Sequence, residues 1–145
     1  MNNLRPVFDE IVTNYEKCLQ GLLRTHQHCA EIGVKESYEY LETETFDALI
    51  IKLSRTIDLF FQQVVKAYLK LQRENQVTFI DRIHVLEQLN LIEDVEACLR
   101  LKDFRNQAVH EYADFEFQTK YQEAYELTLL LQNISTHFFN NIDLE

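Results

Sequence analysis

Glycine and proline are scarce in this sequence, which has two glycines and one proline among 145 residues. Average usage would supply about 10 glycines and about 7 prolines in a chain of this length. Because these residues punctuate strands and tight turns, their scarcity argues against a fold built from many hairpins. It favours a few long helices joined by short connections.

Cysteine is also sparse, with Cys18, Cys29 and Cys98 far apart in the chain. An odd number of cysteines without a C-x-x-C pair argues against both a disulfide framework and a zinc site. We therefore expect buried thiols in a reducing compartment, and the cytoplasm is the predicted location.

Long apolar runs are missing as well. No stretch of about 18 apolar residues occurs, and the first ten residues, "MNNLRPVFDE", lack the apolar segment of a signal peptide. Neither secretion nor membrane spanning is expected, so no membrane partner is predicted.

Positive charge is in deficit, since 14 basic side chains face 24 acidic ones and the net charge is −10. Such a balance favours solubility and argues against broad, non-specific binding to nucleic acid. DNA is not an expected partner. Any function on nucleic acid requires a local basic surface.

What the chain does contain is hydrophobic spacing typical of helices. The predicted helices cover about residues 6–32, 45–74, 79–89, 93–109 and 116–140. Pro6 suits a first helical turn, Gly33 a helix end, and Thr78 an N-cap with Asp81 in the first turn, while Asn90 closes the third helix. The sequence therefore predicts an all-α fold, a single domain over residues 1–145 that forms an up-and-down antiparallel bundle of about five helices.

Basic residues recur along one side of the second predicted helix. At about 100° per residue they fall within an arc of roughly 60°. They are Lys52, Arg55, Lys66, Lys70 and Arg73. The two interpretations are an ordinary solvated helix face and a track for an RNA backbone.

Most familiar catalytic motifs are absent. The sequence has no G-x-S-x-G, glycine-rich phosphate loop, H-E-x-x-H or EF-hand loop. His26 and His28 are two residues apart, so on a helix they point to nearly opposite sides and cannot share a metal ion. No metal and no cofactor are expected, and His84 and His137, each alone in apolar surroundings, are predicted to be structural.

The stretch "DFRNQAVHEY", residues 103–112, lies at the end of the fourth predicted helix and contains Arg105 and His110. A histidine moves protons near neutral pH, and an arginine presents a planar cation that matches a phosphate. In RNA the 2′-hydroxyl adjoins the scissile phosphate, so neither a metal nor a protein nucleophile is required. The pair is therefore suited to cleaving a phosphodiester of RNA.

The spacing of this pair constrains how it could act. Residues five apart on an ideal helix are separated by roughly 140°, so Arg105 and His110 of one chain converge only if the helix ends between them. Pairing two fourth helices about a two-fold axis would instead bring both pairs into one cleft. We predict a homodimer with a composite site, where Arg100 and Lys102 add positive charge for RNA.

The helical layout and the segment "RNQAVHEY", residues 105–112, resemble the HEPN superfamily. The form R-x4-H-x-Y, carried by Arg105, His110 and Tyr112, is similar to that of HepT-like toxins and of the related nucleotidyltransferase substrate-binding proteins. As a helical plan the resemblance covers most of the chain, while its specific part is these eight residues. It implies a HEPN-like bundle.

The resemblance also implies functional roles. Arg105 and His110 would be the catalytic pair of a metal-independent endoribonuclease toxin acting on tRNA or mRNA, and Asn106 would orient the phosphate or the histidine. Tyr112 would accept adenylate (AMPylation) from a cognate minimal nucleotidyltransferase antitoxin. The attached adenylate would block the RNA cleft with its bulk and negative charge.

Two alternatives stand beside this interpretation. The chain could be a non-catalytic substrate-binding module for a separate nucleotidyltransferase, or a helical interaction domain in which the motif is accidental. In the latter case Arg105 would be a salt-bridging residue, and His110 would be a C-terminal helix cap favoured by the helix dipole.

Overall fold

The computed structural model describes residues 3–74, 78–110 and 117–144. Its α-helices are α1 (Leu4–Ile32), α2 (Tyr40–Leu59), α3 (Val65–Leu71), α4 (Phe79–Gln88), α5 (Val95–His110) and α6 (Tyr121–Asn141). A π-helical turn, Phe60–Val64, joins α2 to α3 without a break, and a 3₁₀ turn, Phe117–Lys120, precedes α6. With α2 and α3 counted as one continuous helix, five helices and no strands occupy the described ranges, which confirms the predicted all-α bundle.

Two of the predicted helix boundaries have the expected chemistry. Gly33 ends α1 with φ of 86°, and its N–H donates to the Cys29 carbonyl at 2.8 Å. Thr78 begins α4, since its Oγ1 accepts from the backbone N–H of Asp81 and its own N–H donates to the Asp81 carboxylate, both at 3.1 Å. Such reciprocal bonds satisfy N–H groups that have no partner within the helix.

The second helix begins earlier than predicted, at Tyr40 rather than near residue 45. Glu39 and Glu42 form the capping box, in which the N–H of Glu39 donates to Glu42 Oε1 at 3.0 Å. Lys35 donates to the same carboxylate at 2.7 Å, and this hydrogen bond lowers the pKa of Glu42. Glutamate is not a preferred N-cap residue, which explains why the sequence pattern places this boundary too late.

The π-helical turn is the main departure from a regular helix. The N–H of Val65 donates to the carbonyl of Phe60, five residues earlier, so this turn holds one more residue than an α-helical turn. Arg82 of α4 donates to the Phe61 carbonyl at 3.5 Å and to Gln62 Oε1 at 3.0 Å. The buried guanidinium thereby fixes α4 to the π-helical turn.

Aromatic side chains fill the core around this turn. The ring of Phe60 lies 5.3 Å from that of Tyr15 on α1 and 5.4 Å from that of Phe138 on α6. Phe61 meets Phe79 of α4 edge to face at 5.2 Å. Since α2 also contacts α1, α5 and α6, the continuous second helix is the centre of the bundle.

Three of the histidines considered in the sequence have different environments. His26 is buried, stacks on Tyr125 with ring centroids 4.2 Å apart, and has its Nε2 3.1 Å from the Tyr125 carbonyl. His137 lies between the Asn90 carbonyl and the Glu93 carboxylate, each at 3.2 Å. His84 is exposed, so the expectation of apolar surroundings is wrong for this residue because its side of α4 faces solvent.

The thiols agree largely with the expectation from the sequence. Cys29 and Cys98 are buried, and burial raises the pKa of each to about 12, while Cys18 is half-buried. Among the described residues no group of three or more potential ligands could hold a metal ion. In the same part of the chain, no helix combines the length and apolarity needed to cross a membrane.

Candidate functional site

Arg105 lies where α5 packs against α2. Its Nη2 donates to Asp58 Oδ2 at 3.1 Å, and its Nη1 donates to Asn106 Oδ1 at 3.3 Å. The Arg105 side chain is 23% exposed and that of Asp58 is 43% exposed. The guanidinium is thus held at a fixed place, yet its ion pair remains open to solvent and to an incoming anion.

Two neighbouring cavities meet at Arg105. The larger, of about 280 Å³, is called here the Arg105 groove, and it is lined by Ile50, Ile51, Ser54, Arg55, Asp58, Arg105, Ala108, Val109 and Phe117. The smaller, of about 70 Å³, is called the Asn106 pocket, and it is lined by Ile57, Asp58, Phe61, Gln62, Phe79, Lys102, Arg105 and Asn106. Because Asp58 and Arg105 line both, the ion pair separates the two cavities.

The Arg105 groove is cationic in an acidic protein. Arg55 and Arg105 contribute two positive charges to its lining, and Asp58 contributes one negative charge. The remaining lining is mostly aliphatic, and Ile51 and Val109 are 50% and 48% exposed. The combination of two arginines, one of them held in place by Asp58 and Asn106, with apolar walls suits an anionic ligand that also has apolar surface.

The two other predicted basic residues of α5 differ in their positions. Lys102 lines the Asn106 pocket, and its Nζ is 4.3 Å from the centroid of the Phe79 ring. This cation–π contact holds the ammonium beside Arg105. Arg100, two residues before Lys102 on the same helix, is exposed and lines neither cavity.

The basic residues of the second helix divide between different surroundings. Arg55 lines the Arg105 groove, whereas Lys52 donates to Thr25 of α1 at 2.8 Å. Lys66 and Lys70 line a separate groove beside the start of α1, and Arg73 follows α3 with φ of 58°. The predicted single basic face assumes a regular α-helix through all five residues. The extra residue of the π-helical turn changes the angular position of the later residues by about 100°, so the five do not share one face.

His110 is the last residue of α5, and the helix is unbroken from Arg105 to His110. The condition under which one chain could bring the pair together, a helix end between them, is therefore not met. Tyr112, the predicted site of modification, lies outside the described residues.

Three contributors to the Arg105 groove escape sequence reasoning. Ser54, Asp58 and Ile51 belong to no motif, and they line the same groove as Arg105 because α2 packs against α5. The signal for Asp58 in the sequence is its position three residues after Arg55, which places the two on one side of a helix. No pattern in the sequence indicates that Arg55 or Asp58 lies near Arg105.

The geometry defines what the site could do chemically. A guanidinium carries five N–H donors in a plane, so Arg105 can keep one contact to Asp58 or Asn106 and still bind phosphate oxygens. Comparisons of this chain with protein-family models, with curated proteins and with solved structures found no match. The arrangement around Arg105 and the motif that contains it are therefore the basis for proposing a function.

Proposed function

We propose that this protein is a metal-independent endoribonuclease, the toxin of a HEPN and minimal nucleotidyltransferase toxin–antitoxin pair. The observation that carries the proposal is the Arg105 guanidinium, which Asp58 and Asn106 hold at a cationic groove on the helix that ends at His110. Phosphodiester cleavage requires a cation that stabilises the phosphate and a residue that transfers protons, and the motif on α5 supplies one residue of each type.

In the proposed reaction the 2′-oxygen of the RNA attacks the adjacent phosphorus, and the bond from phosphorus to the 5′-oxygen breaks. His110 of one copy takes the proton of the 2′-hydroxyl and returns a proton to the leaving 5′-oxygen. Arg105 stabilises the additional negative charge on the phosphate oxygens. The products are a 2′,3′-cyclic phosphate and a 5′-hydroxyl, and Asn106 keeps the guanidinium oriented throughout.

The proposed active form is a homodimer in the cytoplasm. Because α5 continues through His110, Arg105 and His110 of one chain point in different directions around the helix. A partner copy related by a two-fold axis supplies the histidine that acts with Arg105, and the reverse. Arg55, Arg100 and Lys102 then add to the positive charge along the RNA path. Attraction of this kind is local, which is compatible with the net charge of −10.

The proposed regulation acts at Tyr112. A cognate nucleotidyltransferase would transfer adenylate from ATP to the tyrosine oxygen with release of pyrophosphate, and the added bulk and negative charge would exclude RNA. Intact-mass spectrometry after incubation with that enzyme and ATP is expected to find added adenylate in the natural protein and none in Tyr112→Phe.

The nuclease proposal is tested by incubating the purified protein with total RNA in the presence of EDTA. Cleavage with cyclic phosphate ends is expected, and Arg105→Ala or His110→Ala should reduce the rate by about 100-fold or more. The matched control is Arg24→Ala, which removes an exposed arginine of α1 and should leave the rate unchanged. Undiminished cleavage by both site variants would contradict the proposal. Absence of cleavage together with binding to the nucleotidyltransferase would instead support the non-catalytic module.

A further inference from the structure

A buried hydroxyl at the Arg105 groove has no role in the reaction proposed above. Ser54 is 6% exposed, and its Oγ has no hydrogen-bond partner among the described residues. A serine within a helix commonly donates to the carbonyl four residues earlier, but the described residues give Ser54 no such bond. The Oγ is covered in the structure and has no partner in the described part of the chain, so turning the Ser54 side chain towards a ligand in the groove would break no hydrogen bond and would supply one.

The walls of the same groove are apolar and accessible. Ile51 of α2 and Val109 of α5 are half exposed, and the aromatic ring of Phe117 completes the lining. Aliphatic and aromatic walls suit the faces of a planar ring, as in proteins that bind unpaired bases. The groove is also small, at about 280 Å³, so it accommodates one ring system rather than a helix of a partner protein.

The cations at this groove indicate where a phosphate would bind. Arg55 is exposed on α2, and Arg105 lies across from it on α5. Each guanidinium can donate two parallel hydrogen bonds to phosphate oxygens. An apolar slot with a buried hydroxyl and two guanidinium groups combines the features that recognise a base, its ribose and its phosphate.

We infer that the Arg105 groove binds one unpaired nucleotide of the RNA strand, with its base between Ile51 and Val109, a polar edge at Ser54 and its phosphate at Arg55. The identity of the ligand as RNA rests on the proposed function. A base held in a helix cannot enter the slot, so the subsite selects single-stranded segments over duplexes.

The test measures the affinity of the full-length protein for short 2′-O-methylated oligonucleotides, which bind as RNA does but lack the attacking hydroxyl. Ile51→Glu places a carboxylate at the slot and should weaken binding by about tenfold or more. Ile80→Glu is the matched control, because Ile80 is 46% exposed on α4 and lines neither cavity at Arg105. It adds the same charge and should change the affinity by less than about twofold.

Ser54→Ala separates a binding role from a structural one. The hydroxyl has no partner to lose in the free protein, so thermal stability should be unchanged or higher. Affinity for the oligonucleotide should fall by about threefold or more, since a hydrogen bond to the ligand is lost. Lower stability with unchanged affinity would overturn the assignment of Ser54.

The outcomes distinguish the subsite from the nuclease. If the natural protein cleaves RNA and Ile51→Glu binds the oligonucleotides with the same affinity as Ile80→Glu, the subsite is overturned and the nuclease proposal stands. Binding that depends on Ile51 and Ser54 without any cleavage supports the subsite and removes the nuclease. A natural protein that binds none of the oligonucleotides overturns both.

Discussion

His26 illustrates how burial decides the charge of a single residue. Its Nε2 donates to the Tyr125 carbonyl, and its ring stacks on the Tyr125 ring. Burial lowers the pKa of His26, and the hydrogen bond to the carbonyl opposes this effect without cancelling it. The folded protein therefore binds a proton here less readily than the unfolded chain does.

This difference predicts a pH dependence of stability. The unfolded histidine takes up a proton below about pH 6.5 while the folded one still resists it, so the contribution of His26 is full above that pH and declines as the pH falls towards the lower folded value. We expect His26→Phe, which retains an aromatic ring against Tyr125, to lose less stability between about pH 7 and about pH 5 than the natural protein. Urea denaturation at each pH measures the difference.

The control for this prediction lies two residues away. His28 is exposed on the same helix, so His28→Gln should retain the pH profile of the natural protein. Equal pH profiles for His26→Phe and the natural protein would mean that the buried ring is not the source of the effect.

The candidate site could be predicted from sequence only in part. Arg105 and Asn106 are adjacent in the motif, and they are also bonded in the structure. Asp58 lies 47 positions before Arg105, and no local pattern indicates that the two side chains will meet. A short motif identifies residue types and their order, whereas the partners that orient them depend on how helices distant in the sequence pack.

At the scale of the helix, the two glycines form a natural comparison. Gly21 lies within α1 and Gly33 ends it with φ of 86°, and an added Cβ would meet no atom within 4 Å at either position. Space is therefore equal at the two sites, and the backbone conformation alone differs. A side chain is tolerated in a helical conformation and strained at positive φ.

Alanine substitutions should therefore have opposite effects. Gly21→Ala should raise the free energy of unfolding by about 0.5–1 kcal/mol, since alanine is the better helix former. Gly33→Ala should lower it by about 1–3 kcal/mol because of backbone strain. Thermal or urea denaturation of the two variants checks the signs, and a shift in the same direction for both would contradict this account of how α1 ends.

The second helix explains why helix existence was easier to predict than helix detail. Its buried residues follow two series with steps of four, which are Ile57, Phe61, Val65 and Leu69, and Phe60, Val64 and Tyr68. A step of four exceeds the 3.6 residues of an α-helical turn, so such a pattern drifts around a regular helix. The π-helical turn absorbs one extra residue and keeps both series in the core. The step of four is present in the sequence, but a helical-wheel projection at 100° per residue does not show it.

At the scale of the whole molecule, the distribution of charge matters more than its sum. The chain carries a net charge of −10, yet Arg55, Lys102 and Arg105 gather around the junction of α2 and α5. The remaining acidic surface repels RNA elsewhere, which would confine binding to this junction and make it sensitive to salt. Composition alone argues against RNA binding, but it averages over surfaces that the fold keeps apart and so does not exclude a local cationic groove such as this one.

The proposed dimer leads to a prediction that distinguishes a composite site from a site within one chain. Arg105→Ala and His110→Ala should each be inactive alone. If each reacting pair takes its arginine from one chain and its histidine from the other, a dimer with one chain of each variant retains one intact pair of two. Equal mixing makes half of the dimers heterodimers, so roughly a quarter of the natural activity should return after subunit exchange.

A site within one chain gives a different result, because neither chain of the mixed dimer then has both residues. The measurement is RNA cleavage by the two variants separately, after mixing, and after mixing under conditions verified by light scattering to exchange subunits. The unbroken course of α5 from Arg105 to His110 is the reason to expect recovery, since it spreads the two positions by roughly 140° around the helix axis. A mixture as inactive as its components, despite verified exchange, would mean that the pair acts within one chain and that the two-fold cleft is not the reaction centre.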